Sequence, residues 1–394
     1  TNSGTEAGHG HRCVLFKSLD AAGLPAAPVG WATSAAEPGA SSIAGLWSTL
    51  GAGEYLTIPH HPAKGAQYNP SDGVTWYHST DWDYVHASQR LVEVYSVHGS
   101  SESSALATTE EAVADFQAGH AVDDALMRFV TQQDPRCKLG IVASTDGHLG
   151  HPGTVTEDPY WVVADEGPYT GGLVAVYATS RTRDAIWSAL WNGRTYATSG
   201  ARIELQFSAT MAGITASMGQ TLESAPGTSS IALSVQARGE TASIKKISLI
   251  RDGVVVATQE YAATASNPTQ TMTYTESIDG WRHYYRAKVY QHETARVNDN
   301  YYGPQDPNGT IEYGAAGTTE LEMASERAWS SPIFLDTATM KVESRSGATS
   351  NATGSLALAS GQPYALWLSL EGPCTRAVDV YLALVFPDGR FACM

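Results

Sequence analysis

The sequence predicts an α/β layer over residues 1–200, a parallel sheet either open or closed into a barrel, followed by all-β sandwich domains. Three observations predict it. Up to Gly200, apolar runs of strand length alternate with helical patterns, the order that builds βαβ units. Beyond Gly200 apolar and polar residues alternate with period two, the mark of half-buried antiparallel strands. Ten of the twelve histidines lie in the first 151 residues, which places the chemistry in the first layer.

Taken in order, Cys13 to Phe16 reads as a strand, Ser42 to Leu50 as a helix, and Tyr55 to Ile58 as a strand closed by Pro59. Leu91 to Tyr95 is a strand, Val122 to Gln132 an amphipathic helix, and Leu139 to Ala143 and Leu173 to Tyr177 are buried strands. Thr182 to Trp191 is a helix with Thr182 as its N-cap and Gly193 as its terminator. Residues 201–335 carry six alternating runs, from Arg202 to Phe207 through Tyr284 to Tyr290, with Arg251-Asp252-Gly253 as a hairpin turn. They read as an Ig-like sandwich, and residues 338–394 as a small third β domain after a Ser/Gly/Thr-rich join.

Composition excludes several function classes. The net charge of −16 would repel a nucleic-acid backbone. No run of about 18 apolar residues is present to span a membrane. Cys13, Cys137, Cys374 and Cys393 form no C-x-x-C pair, which removes zinc knuckles and haem attachment; Cys374 and Cys393 are placed to pair with each other. A chain poor in Lys and rich in Ser, Thr, Gly, Ala and Tyr fits a secreted or cell-surface bacterial protein.

Three groups of potential ligands follow predicted strands, where the loops of α/β folds converge. They are Ile58-Pro59-His60-His61-Pro62, Val92 to Glu102 with Glu93, His98 and Glu102, and Ala143-Ser144-Thr145-Asp146-Gly147-His148. Asp146 and His148 are two apart, so an extended segment presents both on one side; alone, the pair reads equally as a polar turn. His61 is the favoured ligand of its pair and His60 the alternative. Glu93, inside an apolar strand, needs a cation or a metal to offset its burial. His98 is either a ligand or a donor to one. His151 is placed to reach a phosphate, or to serve only in a loop. His78, His86, Asp81 and Asp83 lie in an aromatic-rich stretch that reads as a substrate mouth or a solvated loop, and His120 as helix surface.

These motifs resemble the PHP (polymerase and histidinol phosphatase) superfamily, and more closely its uncharacterised domain-of-unknown-function branch. The likeness continues through Gly171 to Ala178, Thr182 to Trp187 and Arg194 to Gly200, covering residues 8–200. The resemblance implies a distorted (β/α)7 barrel holding two or three divalent ions, with His61, His98, Asp146 and His148 as ligands. The family's opening His-x-His motif and bridging Glu do not precede His60 in matching form. His9-Gly10-His11 has the spacing but another context, so His9 reads as exposed loop and His11 as a supporting or structural residue. The first motif is expected upstream of Thr1. The barrel is then incomplete, closed by an upstream fragment or a second chain.

The functional expectation is a metal-dependent hydrolase using Zn, Mn or Fe, acting on a small phosphorylated substrate, with Asp146 and His148 at the chemistry. Imidazole and carboxylate donors suit those ions, and the phosphate assignment comes from the resemblance. The rival readings are an amide or ester metallohydrolase and a secreted structural, adhesive or self-assembling protein on a degenerate barrel.

Overall fold

The computed structural model describes residues 10–18, 43–146, 162–297 and 321–337, with short interruptions inside those spans, and beyond them 340–344, 349–351, 366–370, 383–385 and 391–393. The first layer contains β1 (His11–Phe16), α1 (Ile43–Leu50), β2 (Tyr55–His60), β3 (Leu91–Ser96), α2 (Val122–Thr131), β4 (Gly140–Ala143), β5 (Leu173–Val176), α3 (Arg183–Trp191) and β6 (Thr195–Thr198). Helix α2 buries Val122, Ala125, Leu126 and Phe129, the i, i+3, i+4, i+7 stripe of an amphipathic helix. Asp123 and Asp124 in its first turn suit the positive end of its dipole. Helix α3 is capped by Thr182, whose hydroxyl accepts from the Ala185 amide at 3.3 Å. It ends at Gly193, which sits at φ +61°, and a Cβ on Gly140 would lie 2.5 Å from the Gly193 Cα. That contact lets the turn after α3 lie directly on β4.

The expected α/β fold, and with it the (β/α)7 barrel, is not what these elements build. Among the described strands of this layer only β3 and β4 pair in parallel, from Leu91 opposite Gly140 to Tyr95 opposite Ala143. Strands β1 and β2, with α1 between them in the chain, pair antiparallel, and so do β5 and β6, with α3 between them. A helix between two strands does not by itself make a right-handed crossover; here it lies in the return of an antiparallel pair. The described strands form open sheets rather than a closed barrel.

The later strands are β7 (Glu204–Met211), β8 (Ile214–Ser217), β9 (Thr221–Ser224), β10 (Ser230–Arg238), β11 (Ile244–Arg251), β12 (Val254–Glu260), β13 (Gln270–Ser277), β14 (His283–Gln291), β15 (Arg327–Ser330) and β16 (Ile333–Thr337). One antiparallel sheet runs β8-β7-β10-β13. The other runs β5-β6-β15-β14-β11-β12, with β16 also on β14 and β9 parallel to β16. Strand β6 pairs with β15 across residue 200, so the sheet is continuous through the expected domain boundary. The two sheets enclose a core of Leu205, Phe207, Ile231, Val235, Ile247, Leu249, Ala287 and Val289 among others. Between 340 and 393 the described strands are antiparallel: 340–344 with 349–351 and 366–370, and 383–385 with 391–393. Cys374 lies outside the described residues, so its expected pairing with Cys393 does too. No helix among the described residues is long and apolar enough to cross a membrane.

Strand β14 is buried on both faces. Tyr285, Ala287 and Val289 point into the sandwich core, while Tyr284 packs with Trp82, Val94, Phe129 and Trp329 on the other side. Arg286 and Lys288 also turn to that side and meet two carboxylates of the first layer. Arg286 donates to Glu102 at 2.6 Å and to both oxygens of Asp123 at 3.0 and 2.7 Å. Lys288 and the Trp329 indole donate to Glu102 at 2.6 and 2.9 Å, and the Tyr284 hydroxyl to Asp123 at 3.1 Å. Burial alone would raise the Glu102 pKa, but Lys288 and Arg286 outweigh it and hold the carboxyl at about 2.

Removing one partner of such a cluster strands the opposite charge in a dry interior. Arg286→Met is therefore expected to destabilise the protein by about 3–5 kcal/mol, read from urea unfolding; a loss below about 1 kcal/mol would show the layers are held otherwise. The Glu102 contribution has the sign of a depressed carboxyl. It is complete above the unfolded value near 4.3 and disappears as pH falls towards 2. Glu102→Gln should flatten the acid limb of a stability–pH curve in that window.

Candidate metal centre

Four chain segments bring the site together. His60 is the last residue of β2, and His61 follows it before Pro62. The β1–β2 register sets His11 opposite His60. Glu93 lies mid-way along β3, and β4 runs out through Ser144 to Asp146. His98 sits in the tight return from β3, where Ser96 pairs with Gly99.

The imidazoles of His60, His61 and His98 each offer a nitrogen within 4.8 Å of the others. The His60 and His61 ring centroids are 4.0 Å apart, and those of His61 and His98 5.2 Å. Asp146 joins them, with one oxygen 2.8 Å from His60 Nε2 and the other 2.7 Å from His98 Nε2. The His11 ring is 4.8 Å from that of His61.

Glu93 sits behind His60. Its Oε1 accepts from His60 Nδ1 at 2.6 Å and from the His61 amide at 3.1 Å, and its Oε2 accepts from the Ser144 hydroxyl. With both oxygens engaged, Glu93 orients the ring of His60 and leaves Nε2 turned to Asp146. A carboxylate holding the far nitrogen of an imidazole is the usual outer support of a metal-binding histidine.

The charges are opposed. Burial disfavours a charged imidazole at His60, yet Glu93 and Asp146 outweigh it and raise its pKa well above the ordinary value. Burial lowers His61 well below that value, helped by His60, His11 and His98, and lowers His98 as well. Burial would raise Asp146, but its bonds to His60 and His98 hold it far below the usual carboxylate range. Two neutral imidazoles and an ionised carboxylate are the protonation states that metal ligation requires.

The backbone is strained at the same place. His61 has φ +34° and Asp146 φ +60°, the left-handed region that costs a residue with a Cβ about 1–2 kcal/mol. Such positions collect at functional sites, where surrounding structure holds them.

Of the other sequence-based candidates, several are not described and the described ones lie elsewhere. His148 and His151, with His9 and His78, are outside the described residues. Glu102 belongs to the ion cluster with Arg286 and Lys288. His86 stacks on Trp47 and bonds Ser88, His120 meets the Thr80 carbonyl, and Asp83 pairs with Arg128. Two contributors carried no sequence signal. Ser144 reads as an ordinary strand-end serine. Lys64, buried in the turn whose amide bonds the His61 carbonyl at 2.9 Å, interacts electrostatically with Asp146 and His98.

Residues 164–225 match the model of a family described as a protein of unknown function (DUF3604). That stretch takes in β5, α3 and β6 to β9, and it lies outside the histidine cluster. No curated protein and no solved structure matches the chain.

At φ +60° a glycine escapes the strain that any other side chain meets. Asp146→Gly is thus expected to be more stable than Asp146→Ala by about 1 kcal/mol, measured by denaturant unfolding of the metal-free variants. Equal stabilities would mean that the Asp146 backbone relaxes once its carboxylate is gone.

Proposed function

We propose that this protein is a metal-dependent hydrolase, with phosphate esters as its substrate class. The observation that carries the reading is the convergence of His60 and His61, both buried, with the half-buried His98 and Asp146, drawn from three separated segments, into one donor set. Three imidazoles and a carboxylate fit a single Zn, Mn or Fe ion. Unlike a structural site of four thiolates or imidazoles, the set keeps an acidic side chain of its own.

When bound, such an ion supplies Lewis acidity towards a phosphoryl oxygen and activates water near neutral pH. The chain supplies the rest. Glu93 fixes the ring of His60, and the strained turns at His61 and Asp146 aim their side chains inward. Lys64 adds a buried positive charge beside the cluster, which favours an anionic substrate in a protein whose net charge is −16. The resemblance of these motifs to phosphatases of the PHP superfamily supports the same class.

Two measurements test this. Native protein analysed by mass spectrometry should carry one divalent transition ion per chain on the described donors, lost in His98→Ala and Asp146→Ala. Glu93→Gln should keep the site and lower metal affinity about 10–100-fold. Hydrolysis of bis-(p-nitrophenyl) phosphate should disappear with Asp146→Ala and return on adding Zn or Mn to chelator-treated wild type. Metal binding with turnover of amides alone would reassign the substrate, and protein that binds no metal would overturn the reading.

A further inference from the structure

A second site lies in the sandwich, away from the histidines. Strand β8 pairs with β7 only from Ser208 to Met211, so the edge of β7 is open before that point. There the Tyr177 hydroxyl reaches across to the Leu205 carbonyl, and the gap between forms a cavity of about 380 Å³, within the range of small-molecule sites. We propose that this notch binds a neutral carbohydrate.

The lining carries the argument. Gln206 and Gln236 are register partners, as are Ser208 and Ser234, and all four line the cavity. Partners across a sheet lie about 5 Å apart, and residues two apart along a strand about 7 Å. Two amides and two hydroxyls thus mark the corners of a rectangle matched to the hydroxyl rim of a sugar ring. Among the described residues none of these four side chains makes a hydrogen bond within the protein. Arg194, across the notch, keeps its Nε buried with no hydrogen-bond partner, and the Tyr177 ring beside it is 39% exposed.

Planar amides, a guanidinium fork and an aromatic face are the groups that grip vicinal hydroxyls and the C–H face of a sugar. No carboxylate lines the cavity, which argues against a cation. A peptide added as a strand needs a free edge, and Tyr177 already occupies the Leu205 carbonyl. Eight of the ten lining residues fall within 164–225, so the notch belongs to the family-like stretch and lies outside the histidine cluster.

Saturation-transfer NMR and calorimetry on the full chain would test it with glucose, galactose, N-acetylglucosamine, cellohexaose and chitohexaose, and with an extended Ser/Thr peptide as the contrasting probe. At least one sugar should bind, and Gln206→Leu with Gln236→Leu should weaken it at least tenfold while the melting temperature and metal content stay unchanged. Arg194→Met should act likewise; should that variant fail to fold, the exposed glutamines still decide the outcome. No sugar binding, binding of the peptide alone, or sugar binding untouched by the glutamine changes would each overturn the proposal.

Discussion

The buried cluster of Glu102, Asp123, Arg286 and Lys288 is the interaction on which the arrangement of this molecule depends. Two carboxylates from the first layer and two cations from β14 balance one another in a dry interior. Neither half is tolerable alone, because each charge group taken from water costs several kcal/mol unless matched. An apolar seam between the layers would have tolerated sliding. The bidentate fork of Arg286 on Asp123 does not, since its planar geometry fixes distance and direction together. The cluster therefore sets register between the layers, beyond whatever it adds to net stability.

The candidate metal centre shows a different balance. Burial, with the neighbouring imidazoles adding to it, lowers the affinity of His61 and His98 for protons. Only His60, caught between Glu93 and Asp146, favours the charged form. Together with left-handed backbone at both His61 and Asp146, this is an arrangement that local energetics would not choose. It stands because the flanking strands are well packed: β2, β3 and β4 are almost wholly buried.

Periodicity made the element types legible. Strands β2 and β3 and helices α2 and α3 lie within a residue or two of the bounds read from apolar spacing, and Thr182 caps α3 as its position implied. Pairing direction was not legible, because helix–strand alternation is the same whether a connection crosses over or turns back. Strand β6 was missed for a related reason: Thr195-Tyr196-Ala197-Thr198 is short and half polar, yet every residue is buried since layers cover both faces. Strand β14 misled more subtly. Alternating polar residues read as a solvent face, but Arg286 and Lys288 face a second layer that carries their counter-ions. In the site, strand-end positions led to the expectation that His61, His98, Asp146 and His148 converge; the structure sets His60, His61, His98 and Asp146 together, and His148 lies outside the described residues. The role of Glu93 was legible only as a need for a cation; that His60 would satisfy it depended on the β2–β3 packing.

These two centres are linked through a short stretch of chain. Glu102 is four residues from His98, and the backbone between them is pinned throughout. The Ser101 amide bonds the Val94 carbonyl, the Glu102 amide bonds the Ser100 hydroxyl, and the Val122 and Asp123 amides bond the Ser101 and Glu102 carbonyls. The Ser101 amide ties the loop to β3, which carries Glu93, and the Ser101 and Glu102 carbonyls tie it to α2, which carries Asp123. Arg286 then grips both acidic side chains from the sandwich side. The position of His98 is thus set by the β-sandwich as much as by its own strand. The sandwich thus reaches the candidate site through Arg286, although it supplies no residue to it.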